Sequence, residues 1–509
     1  MMEAFSVEQS ILEGEQKLND LFEFVCSNAK KSTAYEMEGE ILQMVLQVGL
    51  TVMKCYFAEK GTGDVGNQLV LDNGTALKKQ SQLKPSQYFS VFGKLSLPRT
   101  YYWADGQTGV MPLDAQADLP DRCYSYLLQK WMNTLSIRDS FKESNITLAT
   151  LVGLEVSVSR FETISQESDT NYDEFYEKKQ IPHPESEGEI QVSQFDGKGV
   201  PVIKKEATKL KTRQGKGEKR QKKKEAMVGV SYTVDRNVRT PEEVANNLIY
   251  PEKSREEKEE QKKNKVEILN APKAQNIRRL ASLERKKEDV VKEIIDDGNR
   301  RNPDKKKPWV VVMDGALNLW TMIAGVMCGI NYVGILDIIH VVEYLWKAGN
   351  ALKGEKNPKT IVWVHKQLLS ILQGNVGRVI GGLKQSLKKN GLSDKKKETI
   401  EEVIRYFKNH RQWMRYDEYL EAGYPIGSGV VESTCGHTVK DRMEGSGRRW
   451  SIKGAESTLL LRSVYTSGDW NEYWEFHMQK ERKKLYGDTL NILNIADDYN
   501  DDSMIKKAA

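Results

Sequence analysis

The sequence has few cysteines, and none of them belongs to a CxxC pair. The five are scattered over 509 residues, at Cys26, Cys55, Cys123, Cys328 and Cys435. This spacing argues against a disulfide framework and against a four-cysteine zinc site. Neither Cys328 nor Cys435 has an evident activating setting, which argues against a nucleophilic Cys–His enzyme. A reducing intracellular compartment fits this cysteine usage.

Long apolar runs are missing as well. No stretch of the sequence approaches the roughly 20 apolar residues that a membrane span needs. The first residues, Met-Met-Glu-Ala-Phe, lack the charged and apolar regions of a signal peptide. We therefore expect a cytoplasmic protein with no membrane partner.

Positive charge is concentrated in one segment. The net charge of the chain is only +5, but residues 203–225 contain eleven Lys or Arg and three Glu, a net charge of +8. The remainder of the chain is therefore slightly acidic. A positive stretch on a near-neutral body is typical of contact with a polyanion. A solvated flexible loop explains the same charges equally well.

The N-terminal part of the chain is predicted to be largely helical. Apolar spacing predicts helices over 7–60 and again over 116–170, and the aromatic-rich segment 86–104 predicts a β-hairpin. Within the second helical region, Ile146 to Ile164 has the pattern of a helix-turn-helix, in which Gly153 supplies the turn and Ser157 or Ser159 caps the second helix. Arg160 then lies near the helix end that reaches the major groove of DNA. An ordinary helical hairpin has the same pattern.

The remainder predicts a mixed α/β fold. Residues 165–189 have the composition of a linker. Strands are predicted through Asp196 and at 226–234, 309–313 and 333–337, with solvated helices over 251–307 and a helical block over 350–420. At about 150 residues per domain, the length suggests three or four units. This order favours a mixed sheet with helices on its faces.

Three acidic residues have settings that suit metal-binding carboxylates. Asp196 lies within a predicted strand, Asp314 follows the apolar run Trp309-Val-Val-Val-Met313, and Glu432 follows Gly427-Ser-Gly-Val-Val431 at the start of a predicted helix. Mg²⁺ prefers oxygen ligands, and two such ions can clamp the attacking and leaving oxygens of a phosphodiester. Alone, each carboxylate also has a structural explanation as a turn, a helix cap or a partner of the helix dipole.

Two further clusters lie near these acids in the sequence. Asp337 and His340 fall at a strand end and on the following helical turn, where the two could orient one another or His340 could contact DNA. Zinc is a weak interpretation because no further ligands lie nearby. The segment Lys440 to Trp450 combines four basic residues, two glycines and an indole, which suits phosphate binding and base stacking. A surface turn with Trp450 packed inward is the alternative.

Taken together, these motifs resemble those of a known family. The chain resembles bacterial insertion-sequence DDE transposases of the ISKra type, relatives of the Mutator-like group, from about residue 85 to about 465. The resemblance rests on Gln194-Phe-Asp-Gly-Lys-Gly-Val-Pro201, Val312-Met-Asp-Gly315, Leu336-Asp-Ile-Ile-His340 with the residues after it to Trp346, and Gly427-Ser-Gly-Val-Val-Glu432 with Val439 to Ser451. One departure is that Tyr101 to Asp114 lacks the CxxC that relatives often carry. A hairpin here must therefore rely on aromatic packing.

The resemblance implies a fold and a set of site residues. It implies a ribonuclease-H-like core with an acidic triad, Asp196, Asp314 and Glu432, on the first strand, the fourth strand and a late helix. Asp337 and His340 match a C/D-x-x-H signature of this group. The domains expected are 1–115 (helices and β-hairpin), 116–185 (helix-turn-helix and linker), 186–349 (first part of the core, with a Lys-rich loop), 350–421 (helical insertion), 422–470 (last part of the core) and 471–509 (C-terminal helix and tail).

The expected activity is metal-dependent DNA transposition. Two Mg²⁺ or Mn²⁺ ions on the triad would support strand cleavage at terminal inverted repeats and strand transfer into target DNA. Double-stranded DNA and a second protomer, giving at least a dimer, are the expected partners, in the bacterial cytoplasm near the nucleoid. Two alternatives are a metal-dependent nuclease without strand transfer and a non-catalytic DNA-binding protein. The residues expected to contact DNA are Arg160, Lys204, Lys205, Lys209, Lys211, Arg213, Lys216, Lys219, Arg220, Lys440, Arg442, Arg448, Arg449 and Trp450.

Overall fold

The structure, a computed structural model, describes residues 4–209, 222–252, 271–388, 392–445 and 447–493. The chain divides into two compact units, one formed by residues 1–180 with 469–509 and the other by residues 181–468. The fold is mixed α/β, as the sequence predicts. The three predicted catalytic carboxylates all belong to the second unit.

Two long helices open the first unit. The helices α1 (Val7–Asn28) and α2 (Ala34–Lys60) pack against each other. At the start of α2, Thr33 and Glu36 form a reciprocal capping box that satisfies two backbone N–H groups. The helices predicted over 7–60 are therefore confirmed.

One of these helices corrects the prediction that no segment could span a membrane. By length and composition α2 is apolar enough to do so, with a mean hydropathy of 1.5 over an 18-residue window that is 11% buried. Glutamines and small residues interrupt the apolar positions of α2, so the sequence contains no unbroken apolar run there. Core helices of soluble proteins and signal sequences have the same length and composition, so this helix alone does not establish a membrane span.

The strands of the first unit include the predicted hairpin. A small sheet contains β1 (Gln68–Val70), β2 (Ala76–Lys79) and β5 (Tyr102–Trp103), and the hairpin pairs β3 (Lys84–Ser90) with β4 (Gly93–Arg99). Gly93 begins β4 with φ 134°, a conformation that favours glycine. The Tyr88 ring packs edge-on against Phe57, with 5.4 Å between centroids. Aromatic packing thus supports the hairpin.

Shorter helices complete the first unit. They are α3 (Pro112–Gln116), α4 (Tyr126–Ser136), α5 (Phe141–Val152), α6 (Val158–Ser168) and α7 (Tyr172–Lys178). The apolar faces of α4, α5 and α6 share one core that includes Leu128, Leu148 and Phe161. The linker predicted over 165–189 is wrong where α7 forms. Its aromatic residues pack inward, with Phe175 edge-on to Tyr473 at 5.3 Å.

The second unit is built on one mixed sheet. Among its described residues five strands pair in the order β10-β9-β6-β7-β8. The strands are β6 (Ile190–Pro201), β7 (Lys223–Val234), β8 (Gln275–Ser282), β9 (Trp309–Met313) and β10 (Val333–Leu336). On one side of β6, β9 and β10 run parallel to it and to each other, while β7 on the other side runs antiparallel to both β6 and β8. Every residue of β9 is buried, which suits its continuous apolar sequence.

Helices surround this sheet. They are α8 (Lys204–Ala207), α9 (Pro241–Ile249), α10 (Lys287–Arg301), α11 (Leu317–Val326), α12 (Ile338–Lys353), α13 (Pro358–Leu372), α14 (Val376–Leu387), α15 (Asp394–His410), α16 (Tyr416–Glu421), α17 (Gly429–Thr434), α18 (Asp441–Met443) and α19 (Ile452–Ser467). A π-helix, Cys435–Lys440, joins α17 to α18. The helical block predicted over 350–420 is confirmed by α13 to α16. The last described helix, α20 (Trp470–Ile492), belongs to the first unit.

The abundance of Glu, Lys and Arg over 251–307 predicted solvated helices, and β8 corrects this prediction for residues 275–282, whereas residues 253–270 lie outside the described residues. Two arginines of β8 are engaged at the sheet edge. The Arg278 guanidinium pairs with Glu293 on α10 at 2.6 Å, and the Arg279 backbone N–H donates to Ser467 Oγ at 2.9 Å. The helix α10 is present as predicted, and its buried face contains Val290, Ile294 and other apolar residues.

Candidate active site

Asp196 and Asp314 lie on neighbouring parallel strands. In the register between β6 and β9, Phe195 is opposite Met313, so the two aspartates are the next residues along each strand. Side chains at matched positions of neighbouring parallel strands project from the same face of a sheet. The negative charge of Asp314 contributes to a raised pKa at Asp196. The structure therefore brings these two carboxylates together.

The Asp196 carboxylate is held by two hydrogen bonds. The Gly197 backbone N–H donates to Oδ1 at 2.6 Å, and the Cys435 thiol donates to Oδ2 at 3.3 Å. Burial is the main cause of the raised pKa of Asp196, and the charge of Asp314 adds to it. Burial and the nearby Asp196 carboxylate also raise the pKa of the Cys435 thiol. Cys435 therefore acts as a protonated donor and does not act as a thiolate.

Glu432 is positioned by the turn that precedes its helix. The Gln194 side chain contacts both ends of this turn, because its Nε2 donates to Gly427 O at 3.1 Å and its Oε1 accepts from the Val431 N–H at 3.0 Å. The Ser428 hydroxyl donates to Glu432 Oε1 at 2.7 Å. These bonds fix the start of α17 against β6. They bring the exposed Glu432 carboxylate to the part of the sheet that holds Asp196.

The π-helix after α17 completes the link to Asp196. Isolated π-helical turns are rare and often occur at functional sites. Here the turn begins at Cys435, three residues after Glu432, and Cys435 is the residue that donates to Asp196. One helical segment therefore carries both the third predicted carboxylate and a hydrogen-bond donor to the first.

The loop after β9 is held by bonds to Ala316 and Trp320, which follow it directly, and by His410 from the helical insertion. The Ala316 N–H donates to Asp314 Oδ1 at 3.0 Å, and Trp320 Nε1 donates to Asp314 O at 2.8 Å. The buried His410 ring from α15 has its Nε2 2.9 Å from Gly315 O and its Nδ1 2.7 Å from Tyr406 O. The insertion thus helps to shape the Asp314 loop.

Asp337 and His340 lie beside Glu432. Asp337 follows β10, is fully buried, and accepts the Ser428 N–H at Oδ1 over 3.0 Å. Its Oδ2 is buried and has no hydrogen-bond partner among the described residues. His340 Nε2 is 3.9 Å from that oxygen. One ligand atom each from Asp337, His340 and Glu432 lie within 4.8 Å of one another, so these three residues could hold a metal ion.

Burial and nearby charges also shift the pKa of Asp337. Its burial is the main cause of a raised pKa, and the nearby negative charge of Glu432 adds to it. The Ser428 backbone N–H, the His340 ring and the Ile339 backbone N–H act in the opposite direction and lower this pKa. Asp337 is therefore close enough to Glu432 for the charge of Glu432 to affect the pKa of Asp337.

The basic residues predicted to contact DNA have different settings. Lys204, Lys205 and Lys209 are exposed in and just after α8. Arg160 is exposed at the start of α6, where Gly153 ends the preceding helix with φ 69°. The remaining predicted residues of the Lys-rich segment lie outside the described residues: Lys211, Arg213, Lys216, Lys219 and Arg220.

The segment from Lys440 to Trp450 differs in part from the prediction that its basic residues and its indole contact DNA. Lys440 and Arg449 are exposed, and Arg448 is half-buried. Trp450 and Arg442, however, are buried, and the Arg442 guanidinium lies 4.5 Å from the centre of the Trp450 ring. Trp450 Nε1 donates to Met443 O at 3.2 Å. Trp450 therefore packs inward, the alternative considered for this segment, and neither side chain reaches DNA in this conformation.

Several residues of the site were not identified from the sequence. Gln194, Ser428 and His410 act through hydrogen bonds to groups far away along the chain, and Cys435 was considered only as a metal ligand or nucleophile. The two glycines flanking Ser428 were the sequence signal that could have identified this residue, because they indicate a tight turn before the Glu432 helix.

No protein-family model matches the chain, and no curated protein matches it.

Proposed function

We propose that this chain is a metal-dependent DNA transposase of the DDE type, similar to the ISKra group of insertion-sequence enzymes. The observation that carries the proposal is the convergence of Asp196, Asp314 and the Glu432 helix at one part of the sheet. The first and fourth strands of the unit, β6 and β9, are neighbours, and α17 lies against β6. This arrangement is the one expected of a ribonuclease-H-like core with an acidic triad.

The chemistry of these three donors suits hard divalent ions, which prefer oxygen ligands. Asp196 and Asp314 offer oxygen ligands on adjacent strands, and a bound cation would offset the repulsion from Asp314 that adds to the effect of burial on the pKa of Asp196. Glu432 is exposed and keeps an oxygen beyond the one that binds Ser428. When bound, Mg²⁺ ions would supply activation of the attacking oxygen and stabilisation of the leaving oxygen.

The chain's own residues hold these carboxylates in position. The Gln194 bonds fix the helix that carries Glu432, Cys435 orients Asp196, and the loop bonds of Ala316 orient Asp314. Fixed ligands reduce the reorganisation needed when charge develops on a phosphodiester, which is the main protein contribution in phosphoryl transfer. Exposed Lys204, Lys205, Lys209, Lys440 and Arg449 are available to neutralise DNA phosphates.

The first unit supports DNA binding in the same proposal. Helices α5 and α6 share a core with α4, and the exposed Arg160 lies in the first turn of α6. This arrangement suits a helix-turn-helix in which α6 enters the major groove. Binding two element ends in one complex calls for at least a dimer. The proposal implies double-stranded DNA as the partner and the bacterial cytoplasm as the location.

The test uses DNA that flanks the coding region and contains its inverted repeats. Wild-type protein and the Asp314→Asn variant are incubated with this DNA and Mg²⁺ or Mn²⁺, and strand cleavage and joining are followed. Asp304→Asn is the matched control, since Asp304 is exposed in the loop before β9, whereas Asp314 follows the opposite end of that strand. We expect metal-dependent cleavage at the repeat ends by wild type and the control, and none by Asp314→Asn.

The products separate the proposal from its alternatives. Joined product supports a transposase, whereas cleavage without joining and without end specificity supports a nuclease. Tight binding to the repeats without cleavage in either metal supports a non-catalytic DNA-binding protein and overturns the proposed activity.

A further inference from the structure

We propose that Asp337, His340 and Glu432 form a second metal site, which binds a transition-metal ion of the Zn²⁺ class. This site is distinct from the Asp196–Asp314 pair, although Glu432 is available to both. The three ligand atoms lie within 4.8 Å of one another. The inference does not depend on the proposed DNA chemistry, because it rests on the local arrangement of these side chains.

A buried oxygen without a partner faces this cluster. Asp337 is fully buried, and its Oδ2 has no hydrogen-bond donor among the described residues, although Oδ1 is bonded to the Ser428 N–H. Buried polar atoms in proteins nearly always have partners, so an exception calls for an explanation. The Oδ2 atom is 3.9 Å from His340 Nε2, too far for a hydrogen bond but suitable for two ligands of one ion.

Each of the three ligands is oriented by a neighbour that leaves one atom available. His340 Nδ1 lies 3.2 Å from Glu343 Oε2, which favours a proton on Nδ1 and a lone pair on Nε2. The Ser428 hydroxyl donates to Glu432 Oε1 at 2.7 Å, and the Ser428 N–H holds Asp337. Metal-binding histidines commonly donate their second ring nitrogen to a carboxylate in this way, and ligating carboxylates are themselves hydrogen-bonded.

The donor set selects the class of ion. One imidazole nitrogen with two carboxylates suits Zn²⁺ and related transition metals, whereas Mg²⁺ prefers oxygen ligands and retains several waters. In a tetrahedral site, ligands about 2.1 Å from the ion lie about 3.4 Å from one another, so separations of up to 4.8 Å in this cluster must close by up to about 1.4 Å. The half-buried His340 and the exposed Glu432 have the freedom to make that movement. Because the protein supplies three ligands, water or another ligand would fill the fourth position.

The test measures metal binding directly. Full-length protein without an affinity tag is stripped with chelator, exchanged into chelator-free buffer and titrated with Zn²⁺ by calorimetry, and with Co²⁺ by visible absorption. We expect one tight equivalent per chain for wild type. We expect Asp337→Asn and His340→Gln each to weaken Zn²⁺ binding by about 100-fold or more, and the tetrahedral Co²⁺ absorption to disappear.

Matched variants identify which residues bind the ion. His437→Gln removes an exposed histidine that also lies near a carboxylate, Asp441 Oδ2 at 3.1 Å, and is expected to leave Zn²⁺ binding unchanged. Asp314→Asn removes one carboxylate of the neighbouring Asp196–Asp314 pair and is expected to leave Zn²⁺ binding unchanged as well. Because Asp337 is buried, circular dichroism checks the fold of its variant. If Asp337→Asn unfolds, His340→Gln tests the site independently, because His340 is more accessible than Asp337.

Two results would overturn the inference. One is the absence of a tight Zn²⁺ equivalent in wild type. The other is binding that survives His340→Gln or is lost in Asp314→Asn, since the ion would then lie elsewhere. DNA cleavage by a protein that binds no Zn²⁺ would leave the proposed function intact, and Zn²⁺ binding without cleavage would leave this site intact.

Discussion

Gln194 and Val431 are 237 residues apart in the sequence, yet the Val431 backbone N–H donates to Gln194 Oε1 over 3.0 Å. Nε2 of the Gln194 side chain donates to Gly427 O at 3.1 Å. Gln194 is fully buried in β6, two residues before Asp196, so a single side chain joins the strand of one predicted catalytic acid to the helix of another. This contact explains how Glu432 reaches the sheet although its helix α17 is short.

Replacing Gln194 should therefore destabilise the second unit. Gln194→Ala leaves the Val431 N–H and the Gly427 carbonyl without partners and creates a void. We expect the free energy of unfolding to fall by about 2–4 kcal/mol. Urea denaturation measures the change. The control is Gln373→Ala, which removes an exposed hydrogen bond to Glu242 and should stay within about 0.5 kcal/mol of wild type. Equal losses in both variants would show that the Gln194 contact is not specific.

The central strands could be predicted from sequence because their signals are local. The run from Trp309 to Met313 is apolar throughout, and Asp314 follows it at the strand end. The edge strand β8 was missed because its arginines are satisfied by Glu293 and other groups that lie elsewhere in the chain. The same limit applies to Gln194 and to the bond between Cys435 and Asp196. A contact across more than 200 residues has no periodicity that reveals it.

The raised pKa of Asp196 predicts a stability penalty at neutral pH. A carboxyl whose pKa is higher in the folded chain stabilises the fold only while it is protonated. Its contribution is complete below the unfolded value of 3.8 and is lost as pH rises through the folded pKa. In chelator-containing buffer, we therefore expect Asp196→Asn to have a higher Tm than wild type at pH 7. The difference should shrink below pH 4.

The control for this comparison is Asp304→Asn, which changes an exposed carboxylate. Its Tm should follow that of wild type across the pH range, as measured by differential scanning calorimetry. A lower Tm for Asp196→Asn at pH 7 would contradict the prediction. It would mean that the Cys435 and Gly197 bonds to the carboxylate outweigh the cost of its burial.

Two substitutions in the segment from Lys440 to Trp450 should distinguish a residue that stabilises the fold from a residue that contacts DNA. Trp450→Ala removes a buried indole and should lower the free energy of unfolding by about 3–5 kcal/mol. Arg449→Ala removes an exposed charge and should change that energy by less than about 0.5 kcal/mol. If Arg449 contacts a phosphate, its loss should also reduce the slope of log affinity against log salt by about 1.

Denaturation and DNA titrations at several salt concentrations measure both effects. If Trp450→Ala keeps wild-type stability but loses affinity for DNA, Trp450 must leave its pocket and stack on a base, and the packing described here would not be the DNA-bound state. If Arg449→Ala leaves the salt dependence unchanged, this arginine lies outside the DNA contact.

The two proposals together predict that Zn²⁺ inhibits Mg²⁺-dependent cleavage. Glu432 is a ligand for both sites, so an ion held by Asp337, His340 and Glu432 withdraws a carboxylate from Asp196 and Asp314. Zn²⁺ binds mixed nitrogen and oxygen ligands more tightly than Mg²⁺, so we expect micromolar Zn²⁺ to slow cleavage by about tenfold or more in excess Mg²⁺. The measured quantity is the ratio of rates with and without Zn²⁺ for each protein. In His340→Gln that ratio should approach one, whatever the rate in Mg²⁺ alone. The same ratio in His340→Gln and wild type would mean that Zn²⁺ inhibits by replacing Mg²⁺ at the Asp196–Asp314 pair, and that Glu432 is not shared.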